Sequence, residues 1–160
     1  DVNWAIVPFP SQGEAVRSGK LDVGAFPQPF AANEMQRGGM RTLFTSKDAN
    51  PNDEELILLI ANESFALKNP AVLRAFLSDL VAATKYYLAH EREAKQALLD
   101  AKLVRIPAEI FLSMPDNARA SDCRIDVEAL RHMRDDLLKS GFATKSIDPA
   151  SFVDLSFLPK

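Results

Sequence analysis

The sequence predicts an α/β fold, a βαβαβ arrangement with parallel strands followed by a helix-rich C-terminal part. Three observations predict it. Apolar runs and short helical patterns alternate over residues 4–45, and short connections between parallel strands require crossover elements. Leu56–Ala61 is a continuous apolar run of the length of a strand buried on both faces. From Asn62 onward the apolar spacing turns helical.

Trp4-Ala5-Ile6-Val7 reads as the first strand, stopped by Pro8-Phe9-Pro10-Ser11. Gln12–Ser18 reads as a short helix with Gly19 as its stop. Leu21–Phe26 is the second strand, closed by Pro27 and Pro29. Phe30–Arg37 is a helix ended by Gly38-Gly39, and Arg41–Thr45 is the third strand. Ser46–Asp53 is polar and reads as a loop. Asn69-Pro70 pairs an N-cap with a proline at the first helical position. Val72, Phe76 and Leu80, with Leu73, Leu77 and Val81 beside them, mark one wide helical stripe. The pattern continues through Glu91–Leu99 with a break near His90. Ile106-Pro107 opens a short helix to Met114. Asp126 is an N-cap for a helix bearing Val127, Leu130, Met133 and Leu137, stopped by Gly141. The pairs Arg131–Asp135 and Asp135–Lys139 are four apart and predict small surface support. The apolar tail Phe152–Leu158 should dock on something.

Composition narrows the function. Nineteen basic residues stand against 22 acidic ones, a net charge of -3, with arginines and lysines placed singly. Phosphate neutralisation needs a concentrated basic face, so nucleic acid is not an expected partner. No apolar stretch approaches the roughly 20 residues that span a bilayer. The single cysteine, Cys123, can form no intrachain disulfide and complete no cysteine-based zinc site. The chain opens in a strand-like run with no methionine and no signal peptide. Such an opening suggests processing, trimming or excision from something longer.

Catalytic motifs are lacking. Glu128 and His132 share a helical face, where a surface hydrogen bond is the expected outcome rather than a metal pair. His90, near a helix break, reads as solvated or capping. There is no glycine-rich phosphate loop and no nucleophile elbow. Arg124 adjoins Cys123, but no partner base is identifiable. No cofactor is expected. In open α/β sheets, ligands sit outside the carboxyl ends of the strands. Those ends carry Pro8, Phe9 and Ser11 in one turn and Phe26, Pro27 and Gln28 in the other. Rigid apolar surface with a few hydrogen-bonding tips suits a small-molecule site. The alternative is that these prolines only stop strands and the phenylalanines fill the core.

Glu14–Ala25, with Val7-Pro8 before it, resembles the helix-Gly-x-hydrophobic-Asp-strand segment of periplasmic substrate-binding proteins of the nitrate/sulfonate/taurine and thiamine-precursor type. Pro27–Ala31 resembles their proline-aromatic turn. Gly39–Leu43, Leu56–Ala61, the helix entry Phe65–Leu77 and the tail from Gly141 are similar to later family segments, in the same order. The match corresponds to the C-terminal part of the family. It implies a periplasmic-binding-protein type II-like lobe and two lobes closing on a ligand. It further implies a periplasmic location and delivery of a small organic or inorganic solute to an ABC transporter permease.

The resemblance places residues 1–50 in the second lobe, 51–61 in a strand crossing the hinge, and 62–160 in a helical part returning to the first lobe. Ligand contacts would fall on Phe26, Pro27 and Gln28 and on the loop from Pro8 to Ser11. Pro27-Gln28 stands where sulfonate binders often carry Trp-Asp, which disfavours sulfonate and taurine. The cysteine-rich motif of the thiamine-precursor synthases is missing, so a binding protein is expected rather than an enzyme. An enzyme of that branch, or a sensory domain reusing the fold, are the alternatives. The apolar tail and Leu56–Ala61 need neighbours, and a homodimer would be one way to supply them.

Overall fold

The computed structural model describes residues 2–160. They form eight α-helices and one short 3-10 helix, and among the described residues there is no β-strand. The helices are α1 (Phe9–Arg17), α2 (Phe30–Arg37), α3 (Ser46–Ala49) and α4 (Glu63–Lys68). They continue with α5 (Pro70–Ala89), α6 (Glu91–Asp100), α7 (Ala108–Ser113) and α8 (Val127–Lys139), then the 3-10 turn Pro149–Ser151.

This corrects the expected α/β lobe of parallel strands. Residues 4–7, 21–26, 41–45 and 55–61 pair in no ladder. Trp4 is 93% exposed, Ile6 104% and Ile60 93%. Alternation and apolar runs encode which residues suit a pleated surface, but a strand exists only when a second chain segment takes its backbone groups. Here the groups flanking the turns are taken by side chains instead. The carbonyl of Val7 accepts from Gln12 Nε2 at 2.9 Å, and the Ala25 N–H donates to Gln12 Oε1 at 2.9 Å. The Glu55 N–H points to Met133 Sδ at 3.4 Å.

The helices follow their end signals closely. Helix α1 departs from the expected Gln12–Ser18: it starts at Phe9, so Phe9, Pro10 and Ser11, read as a strand stop, form its first turn, where the missing N–H of Pro10 would have no intrahelical acceptor. Helix α2 runs Phe30–Arg37 as expected and ends at Gly38, whose φ of 71° suits a residue without Cβ. The segment expected as loop from 46 contains α3, held by the Asp48 carboxylate, which accepts from the Thr45 backbone N–H at 2.6 Å and hydroxyl at 2.7 Å. Asn62 accepts from the Phe65 N–H at 3.2 Å to cap α4. Asn69 does precede α5, but its side-chain amide donates back to the Phe65 carbonyl at 3.1 Å. Asp126 caps α8, accepting from Glu128 N at 2.9 Å and Ala129 N at 3.1 Å.

Two compact units divide the chain: Asp1–Leu43 with Arg92–Asn117, and Phe44–Glu91 with Ala118–Lys160. In the first, Ala94, Ile110 and Phe111 are buried together with the polar Gln12, Glu34 and Lys95. Lys95, 1% exposed, donates to the Met114 carbonyl at 3.1 Å and lies 5.9 Å from the Phe111 ring.

In the second unit, Val81, Ala129 and Leu130 are buried. The α5 stripe is narrower than expected: Leu73, Leu77, Leu80 and Val81 turn inward, while Val72 and Phe76 remain exposed. The tail docks on α5, where the Arg74 guanidinium stacks 5.0 Å from the Phe157 ring and donates to the Ser156 carbonyl. The expected ladder of Arg131, Asp135 and Lys139 does not form. Arg131 binds Glu128 and Asp148, and Asp135 pairs with Arg134. Among the described residues, no helix is long and apolar enough to cross a membrane.

Candidate functional site

Both proline-rich turns lie in the first unit, flanking α1 and α2. Pro8 occupies the N-cap position of α1 with extended backbone, and its carbonyl accepts the Ser11 N–H at 2.9 Å. Phe9 opens the helix, and its ring packs on Phe30 at the start of α2, with centroids 5.9 Å apart and planes tilted by 31°. The Gln28–Pro29 peptide is cis. Gln28 Oε1 accepts the Ala32 N–H at 3.2 Å, and the Pro27 carbonyl accepts the Ala31 N–H at 3.2 Å. The second turn therefore serves as the N-terminal cap of α2.

Gln12, 9% exposed, joins the two turns. Its amide reaches Val7 on one side and Ala25 on the other. Gly24 allows a close fold-back, since a Cβ there would lie 2.6 Å from the Phe26 ring and 3.2 Å from Gln12 Oε1.

An ionic belt fastens α1 to α2. Glu34, 8% exposed, accepts from Arg17 Nη2 at 2.6 Å and Arg37 Nη1 at 3.2 Å, and Arg37 also pairs with Glu14 at 2.6 Å. Arg17 Nη1 further donates to the Gly38 carbonyl at 2.8 Å, satisfying the end of α2. Burial pushes the Glu34 carboxyl up, but the Arg17 hydrogen bond and the charges of Arg37 and Arg17 outweigh it and hold it below its ordinary value. Gly13 makes this approach feasible: a Cβ at that position would meet the Glu34 carboxyl carbon at 2.4 Å.

A shallow hollow of about 410 Å³ lies beside α1, lined mainly by Ala5, Val7, Ser11, Ala15 and Leu21, with Glu14 and Lys20 also present. Of the six candidate contact residues, Ser11 lines it, and Pro8, Phe9, Phe26, Pro27 and Gln28 do not. Phe26 and Gln28 are half-buried, and the other four candidates are exposed. A second hollow, about 490 Å³, is lined by side chains of α6 alone.

The remaining reactive side chains have structural surroundings. Cys123 Sγ lies 3.3 Å from Thr84 Oγ1, and Arg124 pairs with Asp122. His90 ends α5 and stacks on Tyr86 at 4.8 Å. Glu128 pairs with Arg131 rather than His132. Among the described residues, no group of three or more His, Cys, Asp or Glu side chains is placed to hold a metal ion.

Sequence reasoning overlooked Gln12 and Glu34. No local signal marks them, because their burial depends on partners 13 and 17 residues away, Ala25 for Gln12 and Arg17 for Glu34. No curated protein and no solved structure matches the chain. One family model does, over residues 1–101, a span that includes both turns and the helices they cap; its members are mostly substrate-binding proteins associated with solute uptake through ABC importers. By that match the chain belongs to the NMT1-like family.

Proposed function

We propose that the chain is the C-terminal part of a periplasmic receptor that binds a small organic or inorganic solute and delivers it to an ABC transporter permease. It is not an enzyme, and it acts without a cofactor. The family match over residues 1–101 carries this reading. On sequence grounds this reading requires residues 4–7, 21–26 and 41–45 to lie in one sheet; the structure has no such sheet, which counts against the reading and leaves the family match as its support.

In this reading, ligand contacts come from Pro8, Phe9, Ser11, Phe26, Pro27 and Gln28. The prolines and rings provide stiff apolar surface, and the Ser11 hydroxyl and Gln28 amide provide hydrogen-bonding tips of the kind that orient a small ligand. The exposed Phe9 ring is 47% accessible beside Phe30, so it can still cover an apolar face of a solute. A neutral amide at 28 favours a neutral or weakly charged solute over a sulfonate. Residues 1–50 would belong to one lobe, 51–61 would cross between lobes, and 62–160 would return to the other. A homodimer would cover the exposed apolar side chains at 56–60.

Thermal-shift and calorimetric titration with nitrate, sulfonates, aromatic acids and pyrimidines tests this. One class should raise the melting temperature in proportion to the logarithm of its concentration, by about 2.7 kcal/mol of added stability at a hundredfold excess over Kd. The shift should shrink on Gln28→Ala. Flat responses across all four panels would overturn the reading.

A further inference from the structure

We infer that Gln12 is a positioning residue that holds the two candidate ligand-binding turns in register, with Gly24 setting the place of the Phe26 ring. The inference rests on the reading that these turns contact solute.

The geometry is specific in three ways. The two residues Gln12 grips each immediately precede a turn: Val7 leads into Pro8, and Ala25 leads into Phe26. One planar amide offers both a donor and an acceptor, so one side chain can hold a carbonyl and an N–H from segments 18 residues apart. The turns are also poor in donors of their own, because Pro8, Pro10, Pro27 and Pro29 have no backbone N–H. A side chain from the helix between them therefore supplies the tether that the turn backbones lack.

Gly24 completes the arrangement. The Phe26 ring lies back over the position where a side chain at 24 would begin. Any larger residue there must displace the ring or the Gln12 carbonyl. Gln12 thus acts on solute binding through the placement of Phe26 and Pro8 and touches no solute itself. Because a buried amide that loses a partner is costly, removing either hydrogen bond of Gln12 should loosen the turn it holds.

Residue-resolved amide hydrogen exchange and the ring-proton signals of Phe26, recorded on the full chain without ligand, test the inference. In the unsubstituted chain the Ala25 N–H should exchange at least about tenfold slower than that of the exposed Val23. Gln12→Leu should remove that protection and shift the Phe26 ring signals while leaving exchange in α5 and α8 unchanged. Gln12→Glu, which keeps an acceptor for the Ala25 N–H, should recover part of the protection. Gly24→Ala should move the ring signals.

An Ala25 N–H as fast as Val23 in the unsubstituted chain overturns the inference, whatever the variants do. So does Gln12→Leu with unchanged Ala25 exchange, or with equal acceleration throughout α1 and α2. No ligand enters the experiment, so an empty solute screen and a failed tether are separate results.

Discussion

The first unit buries Gln12, Glu34 and Lys95 alongside its apolar residues, whereas the buried hydrophobic set of the second is Val81, Ala129 and Leu130 with ion pairs left at the surface. The same helix-joining task is thus solved by different forces. Between α1 and α2 the Phe9–Phe30 ring contact is joined by an ionic one, in which Arg17 of α1 and Arg37 of α2 share the Glu34 carboxylate. On α5 and α8 the buried side chains are the aliphatic Val81, Ala129 and Leu130, and Arg131–Asp148 and Arg134–Asp135 are largely solvated. Solvated pairs contribute little, while a buried charge that loses its partner is strongly unfavourable. The first unit should therefore respond more strongly than the second to deletion of a single ion-pair charge, because its carboxylate Glu34 is buried while the ion pairs of the second are solvated.

Arg17→Ala should separate the units most sharply. It removes the 2.6 Å partner of a buried carboxylate and the Gly38 carbonyl contact, with Arg37 remaining as a second partner. A loss of about 2 kcal/mol is expected, seen as faster amide exchange in α1 and α2 with α8 unchanged. Equal acceleration in α8 would break the comparison.

Asp126→Ala should cost about 1 kcal/mol, the usual value of an N-cap, because Asp126 accepts from two backbone N–H groups at the start of α8. The loss should appear in exchange of the first turn of α8 and not in α1.

Acid acts on both units, since Asp48, Asp53, Asp148 and Asp154 of the second are also held below their ordinary values by hydrogen bonds, but only in the first is the carboxyl buried. The Glu34 carboxyl is held below its unfolded value of 4.5, so over the acid range the unfolded chain binds more protons than the folded one. Its contribution is complete above pH about 4.5 and is lost as pH falls through the lower folded value. Following α1–α2 exchange from pH 6 downward should show this loss, and Glu34→Gln should flatten it.

Much of the helical architecture was legible in the sequence because end signals are local. Pro70, Asp126 and Gly38 each mark a boundary through one residue's own chemistry, and the helices begin or end where they stand. The strands failed because pairing is not local. Trp4–Val7 and Leu56–Ala61 have strand composition, but nothing in either segment states which backbone will take its hydrogen bonds.

The candidate turns were legible as Pro-aromatic-polar clusters, but their tether was not. Gln12 lies outside both clusters, and its role depends on Ala25, 13 residues away. Glu34 likewise looks like an ordinary polar residue of α2 until Gly13 is seen to leave room for it.

The Arg74–Ser156 contact joins residues 82 apart in sequence. Closing a free loop of that length costs roughly 4 kcal/mol in chain entropy. A surface hydrogen bond and an exposed cation–π contact together offset only about 2 kcal/mol of it. By itself the clasp does not offset that cost. In the folded unit, Thr84–Cys123 and Arg131–Asp148 hold the intervening chain, so only the few residues after Asp148 separate the tail from a fixed point. The tail is thus a latch whose closure depends on the placement of the helices it rests on.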